Sequence, residues 1–126
     1  MLADAKATSG FAVDDADAAR SFYTETLGLE LAVLDEENGV LALKFADGHD
    51  VFVYRKPDFA PATYTILNFE VDDVDAAVDG LSSRGVSFER YDGFEQDAKG
   101  IARGPGPAIA WFKDPAGNIL SVLQQP

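Results

Sequence analysis

The chain has 126 residues, 47% of them apolar, enough for one globular core of ordinary size. Twenty-two acidic residues against ten basic ones leave a net charge of −12, a surface that repels nucleic-acid backbones and anionic lipid and so argues against both as partners. With no cysteine, disulfides, zinc–thiolate sites and thiol nucleophiles are excluded together, and the apolar runs at 40–43 and 109–112 are too short to cross a bilayer.

The N-terminus carries Asp4 and Lys6 instead of a basic stretch followed by an apolar one, so a cytoplasmic protein without a targeting segment is expected. The first element is an extended segment ending at Val13, followed by the pair Asp14-Asp15, which can cap the free N–H groups of a helix start. Behind it Ala19, Phe22, Tyr23 and Leu27 lie close to the spacing of one helical face, and Gly28 stops the helix. Strands are expected over 29–34, 40–45 and 51–54, separated by the turns Asn38-Gly39 and Asp47-Gly48, both strong hairpin signals.

A linker bounded by Pro57 and Pro61 leads into a second copy of the same order. Shifted by 58 residues, positions 11–20 fall on 69–78 with seven of ten pairs identical. A strand over 64–71 thus runs into the cap Asp72-Asp73 and a helix whose face is Val74, Ala77, Val78 and Leu81. Gly85 ends that helix, strands follow at 86–91, 108–113 and 119–124, and the loop 92–107 between the first two of them carries four glycines and two prolines. Loops of that length are often lids, and Arg103 or Lys99 is a candidate to meet an anionic ligand group, the alternative being a mobile surface loop.

The expected fold class is therefore α+β, one domain over 1–126 built from two βαβββ modules, about 5–58 and 62–125. Neither module can cover both faces of its sheet with one helix. Two modules solve this by pairing into a curved, cup-like mixed sheet with the helices outside and a concave ligand surface inside.

Val13-Asp14-Asp15, Ser21-Phe22-Tyr23, Leu27-Gly28-Leu29, Val71-Asp72-Asp73-Val74, Arg84-Gly85-Val86 and Phe112-Lys113-Asp114-Pro115-Ala116-Gly117-Asn118, in this order, resemble the vicinal oxygen chelate superfamily of glyoxalases, bleomycin-resistance proteins and extradiol dioxygenases. The resemblance covers nearly the whole chain. It implies a divalent metal held by His, Gln or Glu on the first and last strands of each module, at positions that fall here on Thr8, Phe52, Ile66 and Ser121. Isoleucine and phenylalanine offer no lone pair and hydroxyls are poor substitutes, so no metal and no other cofactor is expected. The single histidine, His49, falls in a turn.

Alternation along the strands, set on this fold, turns Thr8, Gly10 and Ala12, Phe52 and Tyr54, Ile66, Asn68 and Glu70, and Ile119, Ser121 and Leu123 toward the concave face. Trp111 is either a wall of the site or core. The candidate ligand-binding set is Thr8, Gly10, Phe52, Tyr54, Ile66, Asn68, Glu70, Arg103, Trp111 and Ser121, with Glu70 and Tyr54 the candidates for proton transfer.

The leading expectation is a metal-independent binder that sequesters or senses a small, partly apolar organic molecule, in the manner of the bleomycin-resistance branch, and that forms a homodimer as the resemblance implies. The alternatives are a divergent metal-dependent lyase, isomerase or dioxygenase, a metal-free acid–base enzyme, and an assembly protein with a filled interior.

Overall fold

The computed structural model describes residues 1–126, which divide into two compact units, Met1–Phe59 and Ala60–Pro126. The architecture is α+β, with seven strands in two mixed sheets. After a short 3-10 turn at Leu2–Asp4, the first unit runs β1 (Ser9–Val13), α1 (Ala16–Ser21), β2 (Glu30–Asp35), β3 (Val40–Lys44) and β4 (Asp50–Arg55). Its sheet has the order β1-β4-β3-β2, with β1 parallel to β4 and the other pairs antiparallel.

The second aspartate of the first pair does the capping: Asp15 Oδ1 accepts from Asp17 N at 3.0 Å and Ala18 N at 3.1 Å. Beyond Ser21 the helix widens into a π turn over Phe22–Thr26, closed by Leu27 N donating to Phe22 O at 3.0 Å. The widening moves the apolar step from four residues to five, so Tyr23 still buries against the sheet, its ring 5.8 Å from that of Phe11. With Val13, Ala19, Leu41, Leu43, Val51 and Val53 these two side chains form the first core.

In β2 a bulge between Val33 and Asp35 leaves Leu34 exposed and turns Asp35 back to accept from Asn38 N and Asn38 Nδ2. Gly39 ends that turn at φ +67, and an added Cβ would stand 3.0 Å from Arg55 Cβ and 3.1 Å from Ala16 Cβ. Only glycine suits both the backbone and the gap.

The second unit runs β5 (Thr65–Glu70), α2 (Val74–Ser83), β6 (Ala108–Lys113) and β7 (Ile119–Gln124). Its sheet has the order β5-β7-β6, with β5 parallel to β7, which repeats the order of the first unit short of one strand. Asp73 caps α2 through Ala76 N, and Gln124 Oε1 accepts from Val74 N, which ties the helix start to the end of β7. Val74 and Val78 are buried beneath it.

The missing strand is the one expected over 86–91. Only Phe88 bridges β6, at Phe112, with Glu89 N donating to Trp111 O at 2.8 Å. Past that bridge the segment pairs with a side chain instead of with β6, whose Ile109 exchanges both backbone bonds with Ala102. Tyr91 N donates to Gln96 Oε1 at 2.9 Å, and Gln96 Nε2 donates to Glu89 O at 3.0 Å and Gly100 O at 2.8 Å. A carboxamide has one donor group and one acceptor, as a peptide unit does, and here it fills a ladder position.

Candidate functional site

The register of the second sheet sets the floor of a cavity. Trp111 pairs with Ser121 and Lys113 with Ile119, so Trp111 and Ile119 stand on the same face of adjacent strands. β5 should carry Ile66 to that face by simple alternation. A register shift between Thr65 and Leu67 changes this: Thr65 pairs with Ile119 and Leu67 with Leu120, so Thr65, not Ile66, lines the cavity.

The walls come from outside the sheet. Thr63 and Tyr64 precede β5, and Tyr91 and Phe94 stand where the expected strand gives way to the long loop. Together they enclose about 330 Å3. Trp111 is the hub of the aromatic side, with the Phe94 ring 5.0 Å away and tilted and the Tyr91 ring 5.5 Å away and edge-on. Trp111 is only 8% exposed and packs with Ala102 and Ile119, whereas Phe94 and Tyr64 are 56% and 70% exposed. Large apolar rings left that open side by side mark a binding surface more often than a scattered residue does.

The Tyr91 hydroxyl is buried without a hydrogen-bond partner. Burial, and then the Glu89 carboxylate, push its pKa above the ordinary phenol value, so the group stays a neutral O–H donor. An unmade bond of this kind costs the folded state on the order of 1–3 kcal/mol. Tyr91→Phe is therefore expected to raise the stability of the ligand-free protein by about 1 kcal/mol in urea melts. A loss of similar size would mean that the hydroxyl is satisfied.

The loop behind these rings is tied to itself and to α2 at several points. Ala102 bridges both Gln96 and Ile109, and Ile101 is fully buried. Asp97 Oδ1 accepts from Lys99 N and Ile101 N, and Arg90 donates to the carbonyls of Asp97 and Ala98. Arg103 reaches back to α2, its Nη2 donating to both carboxylate oxygens of Asp75 at 2.8 Å while its Nε meets Asp97 at 3.3 Å. Lys99 pairs with Asp79 at 3.0 Å and Asp75 at 3.6 Å. The Arg103 guanidinium, aided by Lys99, holds the Asp75 carboxyl below the usual range. Burial pushes Asp97 up, but the N–H groups of Ile101 and Lys99 and the Arg103 guanidinium outweigh it. Both carboxylates thus stay charged at neutral pH, and the pairs weaken only as pH falls below the ordinary carboxylate range.

Comparison with known proteins bears on what such a cavity belongs to. A family model described as the glyoxalase/bleomycin resistance protein/dioxygenase superfamily matches residues 7–122. The chain belongs to that superfamily. No curated protein sequence matches it. Among solved structures, TnmS3, an antibiotic binding protein from Streptomyces sp. CB03234, is 28% identical, with 98% of each chain covered and a TM-score of 0.69. A lactoylglutathione lyase from Agrobacterium tumefaciens is 21% identical, with 96% of this chain and 93% of that one covered and a TM-score of 0.70. A glyoxalase family protein from Enterococcus faecalis is 20% identical, with 98% and 99% covered and a TM-score of 0.70. The last two likenesses are likenesses of fold.

The sequence resemblance places the superfamily's metal at Thr8, Phe52, Ile66 and Ser121. Thr8 is exposed, Phe52 and Ile66 are half-buried, and Ser121 is fully buried with its hydroxyl donating to Asn68 Oδ1. None of the four is an imidazole or a carboxylate, and no three His, Cys, Asp or Glu side chains gather into a cation-binding group. A divalent transition metal does not fit this donor set.

Of the candidate residues, Trp111 lines the cavity, and Ser121 and Asn68 lie directly across the sheet from it at the same register. In the first unit Gly10 is exposed and pairs with Phe52, and Tyr54 is exposed near the end of β4. Glu70 is exposed and accepts from Gln125 Nε2 at 3.2 Å. Arg103 is committed to Asp75 and Asp97 and is not among the lining residues. His49 stacks on Phe45 in its turn, its Nδ1 against Asp47 Oδ1. Sequence reasoning missed Tyr91 and Phe94 as walls. The available signal was a cluster of aromatics, Phe88, Tyr91 and Phe94, running on past the end of an expected strand.

Proposed function

We propose that this chain is a metal-independent binder that sequesters or senses a small, planar, partly apolar organic molecule in the cavity of its second unit. The observation that carries the reading is the group of three rings, Trp111, Tyr91 and Phe94, around a space of about 330 Å3, the size of a small-ligand site. Flat rings supply large contact area at low entropic cost. Metal independence rests on the donor chemistry of Thr8, Phe52, Ile66 and Ser121. The likeness to an antibiotic binding protein at 28% identity over 98% of both chains supports binding, and the flat rings of the cavity make planar polycyclic compounds the ligand class to try first. A homodimer and a cytoplasmic location belong to the same reading.

The test is a thermal-shift screen of planar polycyclic compounds, repeated on Phe94→Ala. Phe94 is more than half exposed, so its truncation is expected to leave the ligand-free melting temperature nearly unchanged. Affinity for a hit should fall about tenfold, the worth of one lost aromatic contact. A panel with no hit, or a hit whose affinity ignores Phe94→Ala, overturns the proposal.

A further inference from the structure

The cavity carries information about the charge of its occupant as well as its shape. None of its seven lining residues, Thr63, Tyr64, Thr65, Tyr91, Phe94, Trp111 and Ile119, is ionised at neutral pH. The cations of the surrounding segments are held elsewhere: Lys113 by Glu89 at 3.5 Å, Lys99 by Asp79, Arg103 by Asp75 and Asp97, and Arg90 by two backbone carbonyls. An anion entering here would give up part of its water for a lining that offers no counter-charge in return.

A cation meets the opposite situation. The Phe94 ring is inclined 54° and the Tyr91 ring 80° to the indole of Trp111, so the three rings are walls of a corner and not a flat stack. The negative π faces and the phenol oxygen of such a corner attract positive charge. The whole chain, moreover, carries −12. That field gathers cations toward the surface before any contact forms.

We infer that the aromatic cavity selects a planar organic cation, such as an N-alkylated heteroaromatic ring, over a neutral molecule of the same shape, and rejects the corresponding carboxylate. The inference rests on the proposed binding function and adds the charge class of the ligand to it.

The experiment is calorimetric titration at neutral pH with three probes of nearly equal size: N-methylquinolinium, neutral 4-methylquinoline and anionic quinoline-4-carboxylate. The cation is expected to bind about tenfold more tightly than the neutral compound, with no measurable binding of the carboxylate. Repeating the titrations at about 1 M salt separates ring contact from diffuse surface charge, since distant charges are screened there and a desolvated cation on a ring is not. The preference for the cation should survive. Equal affinities for the cation and 4-methylquinoline, or a preference that vanishes in salt, overturn the charge inference while leaving the binding function standing. Failure of all three probes to bind overturns both.

Discussion

Replacing Trp111 with Ala is expected to destabilise the protein by about 3–5 kcal/mol, the usual cost of deleting a large aromatic from a packed site. Trp111 is 8% exposed and joins the sheet to the loop, touching Ala102 and Ile119 with Tyr91 and Ile109 packed against the same group. Its backbone carbonyl would keep its bond from Glu89 N, so the loss is one of packing and not of the ladder. For a domain whose total stability is on the order of 5–15 kcal/mol, that is a large share, and the urea midpoint followed by far-ultraviolet circular dichroism should fall accordingly. Trp111→Phe should keep most of the stability and still lose ligand affinity. A loss below about 1 kcal/mol for the alanine variant would mean that the indole lines the cavity without holding it up. Core and wall, which the sequence left as alternatives for this residue, are both its role.

The repeat of positions 11–20 at 69–78 made the two-module fold legible, because a strand, an aspartate cap and a helix in that order follow from local chemistry alone. Asp15 and Asp73 do cap, and Gly28, at φ +74, does stop the first helix. What did not come through the sequence is non-periodic. The π turn at Phe22–Thr26 changes a helical step by one residue, which the spacing from Phe22 to Leu27 carries only faintly. The register shift beside Ile66 breaks an alternation that assumes an unbroken strand, and so exchanges Thr65 for Ile66 at the site. Arg103 and Lys99 looked like free cations in a loop. Asp75 and Asp79, one helical turn apart on α2, form a carboxylate pair waiting for them, and recognising it needs the loop's path in space.

These departures collect around one place. The second unit differs from the first by giving up a strand, and Tyr91 from its end, with Phe94 just beyond it in the loop, becomes a wall of the cavity. A full strand over 86–91 would have kept Tyr91 in regular alternation and closed the side of the sheet. What stands in place of that strand is the loop itself: the Gln96 amide takes Tyr91 N and Glu89 O, and Ala102 takes both backbone groups of Ile109 on β6.

Gln96→Ala is accordingly expected to cost about 2–3 kcal/mol, from three bonds each worth about 1 kcal/mol and only partly replaced by water. The variant leaves Tyr91 N, Glu89 O and Gly100 O without the partner they have now. Gln96→Glu is the sharper probe, because a carboxylate still accepts from Tyr91 N but can donate to neither carbonyl, and places negative charge against both. It should lose at least as much stability as the alanine variant despite its nearly identical shape. Amide hydrogen exchange provides the local readout: the Tyr91 N–H should lose its protection in Gln96→Ala and retain part of it in Gln96→Glu. Ligand affinity should fall in both, since Tyr91 and Phe94 hang on the segment this side chain holds. Stability within about 0.5 kcal/mol of the parent in both variants would show that the edge is satisfied without Gln96 and that the cavity wall has another support.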